Sequence, residues 1–310
     1  MPPRRKHYIH KDVSEISPVV ETFLLRLLVP LECHRQFIGK EDYSNDEVAL
    51  LFDLPGADEF EPFDARQAQR KLVAAYQKES HQTTICFPET LERNLHKLAA
   101  LIGLNDVEVQ LFGFAVLLDN SDLLNESCGW LGRQLSPLKM FNALSVLLGI
   151  PQGELRKALA MNATLVKTGL MYIEKDYKNN DLSDKITILS HSFSERLFDE
   201  EASAPIDWLK DVIVQGSPPH LTLANYPHLK NLDLLLTYLQ QAVENKTVGV
   251  NVFIYGIPGT GKSQLVKLLA HQLGCPLYEV ASEDDDGDSV EGKERLSAVR
   301  AAQAFLKNTQ

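Results

Sequence analysis

No stretch of the chain approaches the roughly 18 consecutive apolar residues that a membrane-spanning helix requires. The basic opening MPPRRKHYIHKD is followed by no apolar core of signal-peptide length. Together these exclude a helical membrane protein as a reading and make a cytoplasmic location the expectation. Cysteine is scarce: Cys33, Cys86, Cys128 and Cys275 are widely scattered, with no CxxC and no Cys/His pairs at zinc-ligand spacing. They read as small, buried or half-buried residues in a reducing compartment, which excludes a disulfide scaffold. Positive charge is also short. Against 42 Asp and Glu stand 31 Lys and Arg, a formal net charge of −11, so a generally basic surface for nucleic acid is excluded, although a local basic patch is not.

What is present is the composition of a folded protein. A chain of 310 residues, 44% hydrophobic and 24% charged, is long enough for two or more domains. Residues 16–31 read as an amphipathic helix, and residues 64–77 as another with Asp64 as N-cap. The acidic segment FDLPGADEFEPFD between them, Phe52 to Asp64, has no steady period and reads as a surface connection. Residues 88–104 predict a strong helix with Leu91, Leu95, Leu98 and Ile102 on one face. His96 lies beside that stripe without a partner at metal spacing, so it reads as a structural or solvent-edge histidine.

Two stretches echo each other, LIGLNDVEV (Leu101 to Val109) and LLGIPQGEL (Leu147 to Leu155). In each, a glycine (Gly103, Gly149) stops an apolar helix end and a polar turn leads into a new helix near Glu108 or Glu154. This is helix-turn-helix grammar, readable at two places in the chain. After the second unit, LVKTGLMYIEKD, the polar turn YKNNDLSD and KITILS read as two short strands joined by a hairpin. Helix, turn, helix, hairpin is winged-helix order. The candidate recognition helix offers Arg156 and Lys157, and the hairpin Lys175, Lys178 and Lys185, set among Glu174, Asp176, Asp181 and Asp184. The near-neutral balance favours a protein-docking or structural role over DNA binding. The following SHSFSERLFDEEASAPID turns small and acidic, and the main domain boundary is placed near Pro205. His191, Ser192 and Ser194 are neighbours there, but adjacency in sequence does not make a catalytic triad, and a capping turn is the expected role.

The segment with chemistry comes last. Residues 231–245 predict an amphipathic helix and VGVNVFIY, Val248 to Tyr255, a buried β-branched strand. Next come Gly256, Ile257, Pro258, Gly259, Thr260, Gly261, Lys262 and Ser263, which fit G-x-x-x-x-G-K-[ST], and then an apolar-striped helix over 263–273. The glycines let successive N–H groups turn inward around a polyphosphate. The helix N-terminus adds partial positive charge, Lys262 reaches the β- and γ-phosphates, and the Ser263 hydroxyl ligates the Mg²⁺ that bridges them.

GIPGTGKS, with Pro258 and Thr260 inside the loop, resembles the Walker A loop of the AAA-family (AAA+) ATPases. The order of helix, strand, loop and helix resembles the start of those domains. PLYEVAS (Pro276 to Ser282) looks like the family's second core strand, and residues 290–308 like the helix that follows it. The resemblance covers roughly residues 206–310. It implies ATP and Mg²⁺ as ligands, a homo-oligomeric ring, and remodelling of a protein or protein–nucleic acid partner.

The departures are equally definite. The family's next strand ends in an apolar run followed by Asp-Glu, the Walker B pair, and no such run follows Ser263. The sensor residue, arginine finger and helical lid have no candidates either. The expectation is therefore an ATPase domain cut before Walker B, which binds nucleotide without turning it over, with no catalytic residue of its own. The acidic loop SEDDDGDSVEG fails the calcium-loop template, because aligning Asp286-Gly287 to it puts Ser282 at the first ligand position and Lys293 at the position of the bidentate Glu. It also lacks the aromatic residue by which threading members of the family pull polypeptide.

The expected architecture is thus a mainly α N-terminal region with a winged-helix-like module, followed by an incomplete α/β P-loop domain. Residues 1–104 form the helical region, 105–205 the winged-helix-like module and 206–310 the first part of the AAA-type domain. One alternative is a nucleotide-gated winged-helix adaptor or DNA-binding regulator with little turnover. A small-metabolite kinase is weaker, because such enzymes usually open with the loop.

Overall fold

Residues 111–118, LFGFAVLL, are apolar without a period, and a helix of that composition has no face to give to water. A computed structural model, which describes residues 17–58, 61–79, 85–174, 181–200, 205–283, 289–290 and 292–307, places them in the Asp106–Asn120 helix with every one buried. Around it pack the Pro18–Leu28, Glu89–Ile102, Asp122–Cys128 and Gln152–Ala158 helices. Phe23 meets Phe114 edge-on, with ring centroids 5.0 Å apart.

Local signals set where these helices begin and end. The Asp64 carboxylate accepts the N–H groups of Arg66 and Gln67 at 2.9 and 3.0 Å at the start of the Ala65–Glu79 helix. The Glu89–Ile102 and Pro137–Leu148 helices both stop at a left-handed glycine, Gly103 and Gly149. Glu108 closes a capping box with Asn105 and is itself buried. Its other oxygen accepts the N–H groups of Thr164 and Leu165 at 2.7 and 3.2 Å, so one carboxylate holds the first turns of two helices.

From Pro137 onward the order is helix (Pro137–Leu148), helix (Gln152–Ala158), a short turn of helix (Thr164–Lys167) and an antiparallel strand pair, Met171–Ile173 with Ile186–Ile188. The register places Tyr172 opposite Thr187. Lys175 and Lys178 lie outside the described residues.

The chain divides into one unit comprising Met1–Leu209 and Glu291–Gln310 and a second comprising Lys210–Val290. The sequence assigns the Gly292–Lys307 helix to a C-terminal domain running to residue 310, whereas this helix packs within the first unit. Its buried face is Ser297, Ala298, Ala301, Ala302 and Phe305. The small residues allow close backbone approach, and Phe305 enters an aromatic group with Phe193 and Trp208. Gly169 provides the space for that approach: a Cβ there would lie 2.5 Å from the Ser297 carbonyl oxygen.

In the second unit Ile213–Gln215 pairs antiparallel with Tyr278–Val280, which is the second strand read from the sequence. The Leu232–Glu244 and Lys262–Gln272 helices share a small core of Leu232, Leu265, Leu268, Leu269 and Tyr226. Residues 250–256 form no strand. Ile254 packs against that core, while Phe253 and Tyr255 stand 86% and 82% exposed with their rings stacked 5.9 Å apart. The apolar, β-branched run expected of a buried strand is present. What is missing among the described residues is a neighbouring chain to supply the hydrogen-bond ladder that makes a strand.

Candidate functional site

The turn from Gly256 to Ser263 leads directly into the Lys262–Gln272 helix. Gly256, Gly259 and Gly261 all have positive φ, at 147°, 82° and 79°. A side chain would strain each of these positions, and glycine adopts them without cost from a Cβ. Gly261 is the helix N-cap in the left-handed region, so the first-turn N–H groups that follow it lack intrahelical acceptors and face outward.

Lys262 folds back over this turn. Its ammonium donates to the Gly256 carbonyl at 3.0 Å and to the Ile257 carbonyl at 2.9 Å. The Thr260 hydroxyl donates to the same Ile257 carbonyl at 2.9 Å and tightens the turn. Ile257, Pro258, Gly259 and Thr260 are exposed, and Ser263 presents its hydroxyl on the exposed side of the first helical turn. The eight residues of the sequence motif form one largely exposed, glycine-rich turn with the Lys262 ammonium folded onto its carbonyls.

Sequence reasoning missed what holds this turn from behind. The Tyr226 hydroxyl donates to the Gly261 carbonyl at 2.9 Å, and the His220 N–H donates to Gln264 Oε1 at 2.9 Å. Lys267, one turn further along the helix, donates to Ser217 Oγ at 2.9 Å and pairs with Glu279 at 3.0 Å. Residues 217–226 are polar and proline-rich and carry no motif. Only folding puts them against the helix.

Other sequence candidates settle into structural roles. His191 Nδ1 lies 2.7 Å from Asp119 Oδ2, and the Ser194 hydroxyl donates to that same oxygen. The His191 Nε2 side faces Glu195 at 3.4 Å. Serine and histidine share one acid instead of forming a relay, and Ser190 caps the His191–Arg196 helix through the Phe193 N–H. His96 is exposed, and among the described residues no group of three His, Cys, Asp or Glu is placed to hold a metal. Asp286 and Gly287 lie outside the described residues. Of the cations considered for DNA, Lys185 is 2% exposed and Arg156 stacks over the Phe141 ring at 4.1 Å.

No helix among the described residues is long and apolar enough to cross a membrane. Residues 252–307 match the family model of the ATPase family associated with various cellular activities (AAA), which supports an ATPase-family assignment for this segment. No curated protein and no solved structure matches the chain.

Proposed function

We propose that the chain binds ATP with Mg²⁺ through Gly256 to Ser263, as the nucleotide-binding part of an AAA-type ATPase module. The observation that carries this is the geometry of the turn: three positive-φ glycines, an outward-facing helix N-terminus, and an ammonium held at the edge by two carbonyls alone. That donor set fits a polyphosphate. The N–H groups of the turn surround it, Lys262 exchanges two neutral carbonyl acceptors for phosphate oxygens, and the Ser263 hydroxyl is the group that would hold Mg²⁺. Bound Mg²⁺ supplies neutralisation of the β- and γ-phosphate charge.

The exposed, stacked Phe253 and Tyr255 support the same reading. In P-loop folds the strand before the loop is covered on both faces, and the exposed Phe253 and Tyr255 lie in the segment that holds that position in this chain. The activity proposed for Gly256 to Ser263 is nucleotide binding.

Partner recruitment falls to the N-terminal unit, which we read as winged-helix-like over 105–205 and preceded by a helical region. Its helix, helix and antiparallel-pair order supports this. Protein docking is favoured over DNA, because Lys185 is buried and Arg156 is engaged on Phe141. Assembly of the complete module into a homo-oligomeric ring in the cytoplasm belongs to the same proposal.

The test is calorimetric titration of the chain with ATP and ADP, with and without Mg²⁺. Binding that falls at least about tenfold in Lys262→Ala is expected, since a charge-assisted hydrogen bond contributes about 1.5–3 kcal/mol. Equal affinity of the two proteins would refute the assignment.

A further inference from the structure

We propose that Tyr226 is a positioning residue of the nucleotide site and orients the Lys262 backbone N–H toward the phosphates. This rests on the nucleotide reading of Gly256 to Ser263. The Gly261 carbonyl accepts two hydrogen bonds, from the Leu265 N–H of its own helix at 2.9 Å and from the Tyr226 hydroxyl at 2.9 Å. Gly261 C=O and Lys262 N–H belong to one peptide unit, which is planar and trans, so the two bonds point in opposite directions. Fixing the carbonyl fixes the N–H in the opposite direction, toward the glycine turn at the helix N-terminus.

The helical bond alone leaves this unit able to tilt, because Gly261 is a left-handed glycine with no side chain to limit it. The second donor, from a different part of the chain, removes that freedom. The tyrosine is itself held firmly. Its ring is 4% exposed among Leu232, Leu265, Leu268 and Leu269. Its backbone leaves a capped turn, Thr222 to Asn225, with the Tyr226 N–H on the Leu223 carbonyl at 3.0 Å. An ordinary phenol is already protonated at neutral pH, and burial raises the Tyr226 pKa further, so the hydroxyl is available as a donor. Tyrosine and glycine are also fitted to one another. A Cβ at Gly261 would lie 3.2 Å from the Tyr226 hydroxyl, so a side chain there would press on the group that holds the carbonyl.

The consequence is a P-loop whose orientation is set by a residue 35 positions earlier in the chain. Nucleotide affinity then depends on the segment before the loop, outside any recognisable motif. Preorganised N–H donors bind an anion more tightly than mobile ones because no ordering is left to be done on binding.

The experiment measures ATP and ADP affinity of the whole chain for the unaltered protein, Tyr226→Phe, Lys262→Ala, the double variant and Leu239→Ala. Tyr226→Phe keeps the ring and removes only the hydroxyl. It should weaken both nucleotides about three- to tenfold, the range of one neutral hydrogen bond. Because the hydroxyl acts through the peptide N–H, which Lys262→Ala keeps, the double variant should lose about the product of the two single losses. Leu239→Ala loosens the edge of the same core and leaves both donors to the Gly261 carbonyl in place, and below its melting temperature its affinity should match the unaltered protein. Unchanged affinity in Tyr226→Phe, beside a loss in Lys262→Ala, sinks this inference and leaves the nucleotide reading standing. An equal loss in Leu239→Ala reduces Tyr226 to a core residue and likewise overturns it. No nucleotide binding by the unaltered chain would remove both.

Discussion

Phe305 meets Trp208 edge-on, with ring centroids 6.5 Å apart and planes at 88°, and meets Phe193 in the same manner at 6.3 Å. The helix that follows the P-loop segment in sequence thereby completes the aromatic core of the N-terminal unit. Phe305 is fully buried, so Phe305→Ala removes both the burial and the edge contacts. The expected cost is about 3–5 kcal/mol. Both tryptophans, Trp130 and Trp208, lie in this unit, so urea unfolding followed by tryptophan fluorescence reads it directly. A midpoint unchanged from the unaltered chain would show that the helix does not pack there.

Glu108 joins two helix starts through one carboxylate. Truncation in Glu108→Ala leaves the Thr164 and Leu165 N–H groups without their acceptor. About 2–4 kcal/mol of stability should be lost, with Gln recovering part of it because one acceptor oxygen remains. Thermal unfolding of the two variants checks the order; equal loss in both would mean that the full carboxylate is required and that neither the filled space nor a single acceptor oxygen recovers anything.

Under the proposed nucleotide reading, Ser263 would hold the metal and Lys262 would reach the phosphates. Ser263 is exposed in the first turn of the Lys262–Gln272 helix, while the Lys262 ammonium bonds the Gly256 and Ile257 carbonyls. Ser263→Ala should weaken ATP when Mg²⁺ is present and leave metal-free binding unchanged. Titration with and without EDTA distinguishes the cases, and a loss that is independent of Mg²⁺ would assign Ser263 to the phosphates.

The thiols should titrate in two classes. Burial pushes Cys33 from 9.0 up to about 11, and burial drives Cys128 up as well, beyond the ordinary thiol range. Since the thiolate is the nucleophile, labelling with Ellman's reagent at pH 8 should be fast at exposed Cys86 and slow at Cys33 and Cys128. The sign for stability follows from linkage. The native state holds the Cys33 proton more tightly than the unfolded chain, so stability is retained below pH 9.0 and declines as pH rises through about 11. Rapid labelling of all four thiols at pH 8 without denaturant would contradict this burial.

Much of the local structure is written in short spans of residues. The Gly103 and Gly149 stops, the Asp64 start and the amphipathic helices depend on side chains within one or two turns of one another, and the local residue pattern reveals them. The eight residues of the loop are likewise contiguous, a run of permissive glycines beside a helix start. The sequence by itself therefore determined the amphipathic helices, the antiparallel pair after Pro137 and the glycine turn before the Lys262–Gln272 helix.

Long-range partnership was decided only in the folded chain. Residues 250–256 have the apolar run of a buried strand, yet a strand exists only with a hydrogen-bonded neighbour, and the described residues place none beside them. The stripe Ser297, Ala298, Ala301, Ala302 and Phe305 announces a buried helix face but not which surface it covers, and Gly169 with the Phe193 and Trp208 rings supplied that surface. Tyr226 carries no sequence signal at all. Its role arises because a hydroxyl can reach a carbonyl 35 residues away only when a shared apolar core has already brought the two segments together.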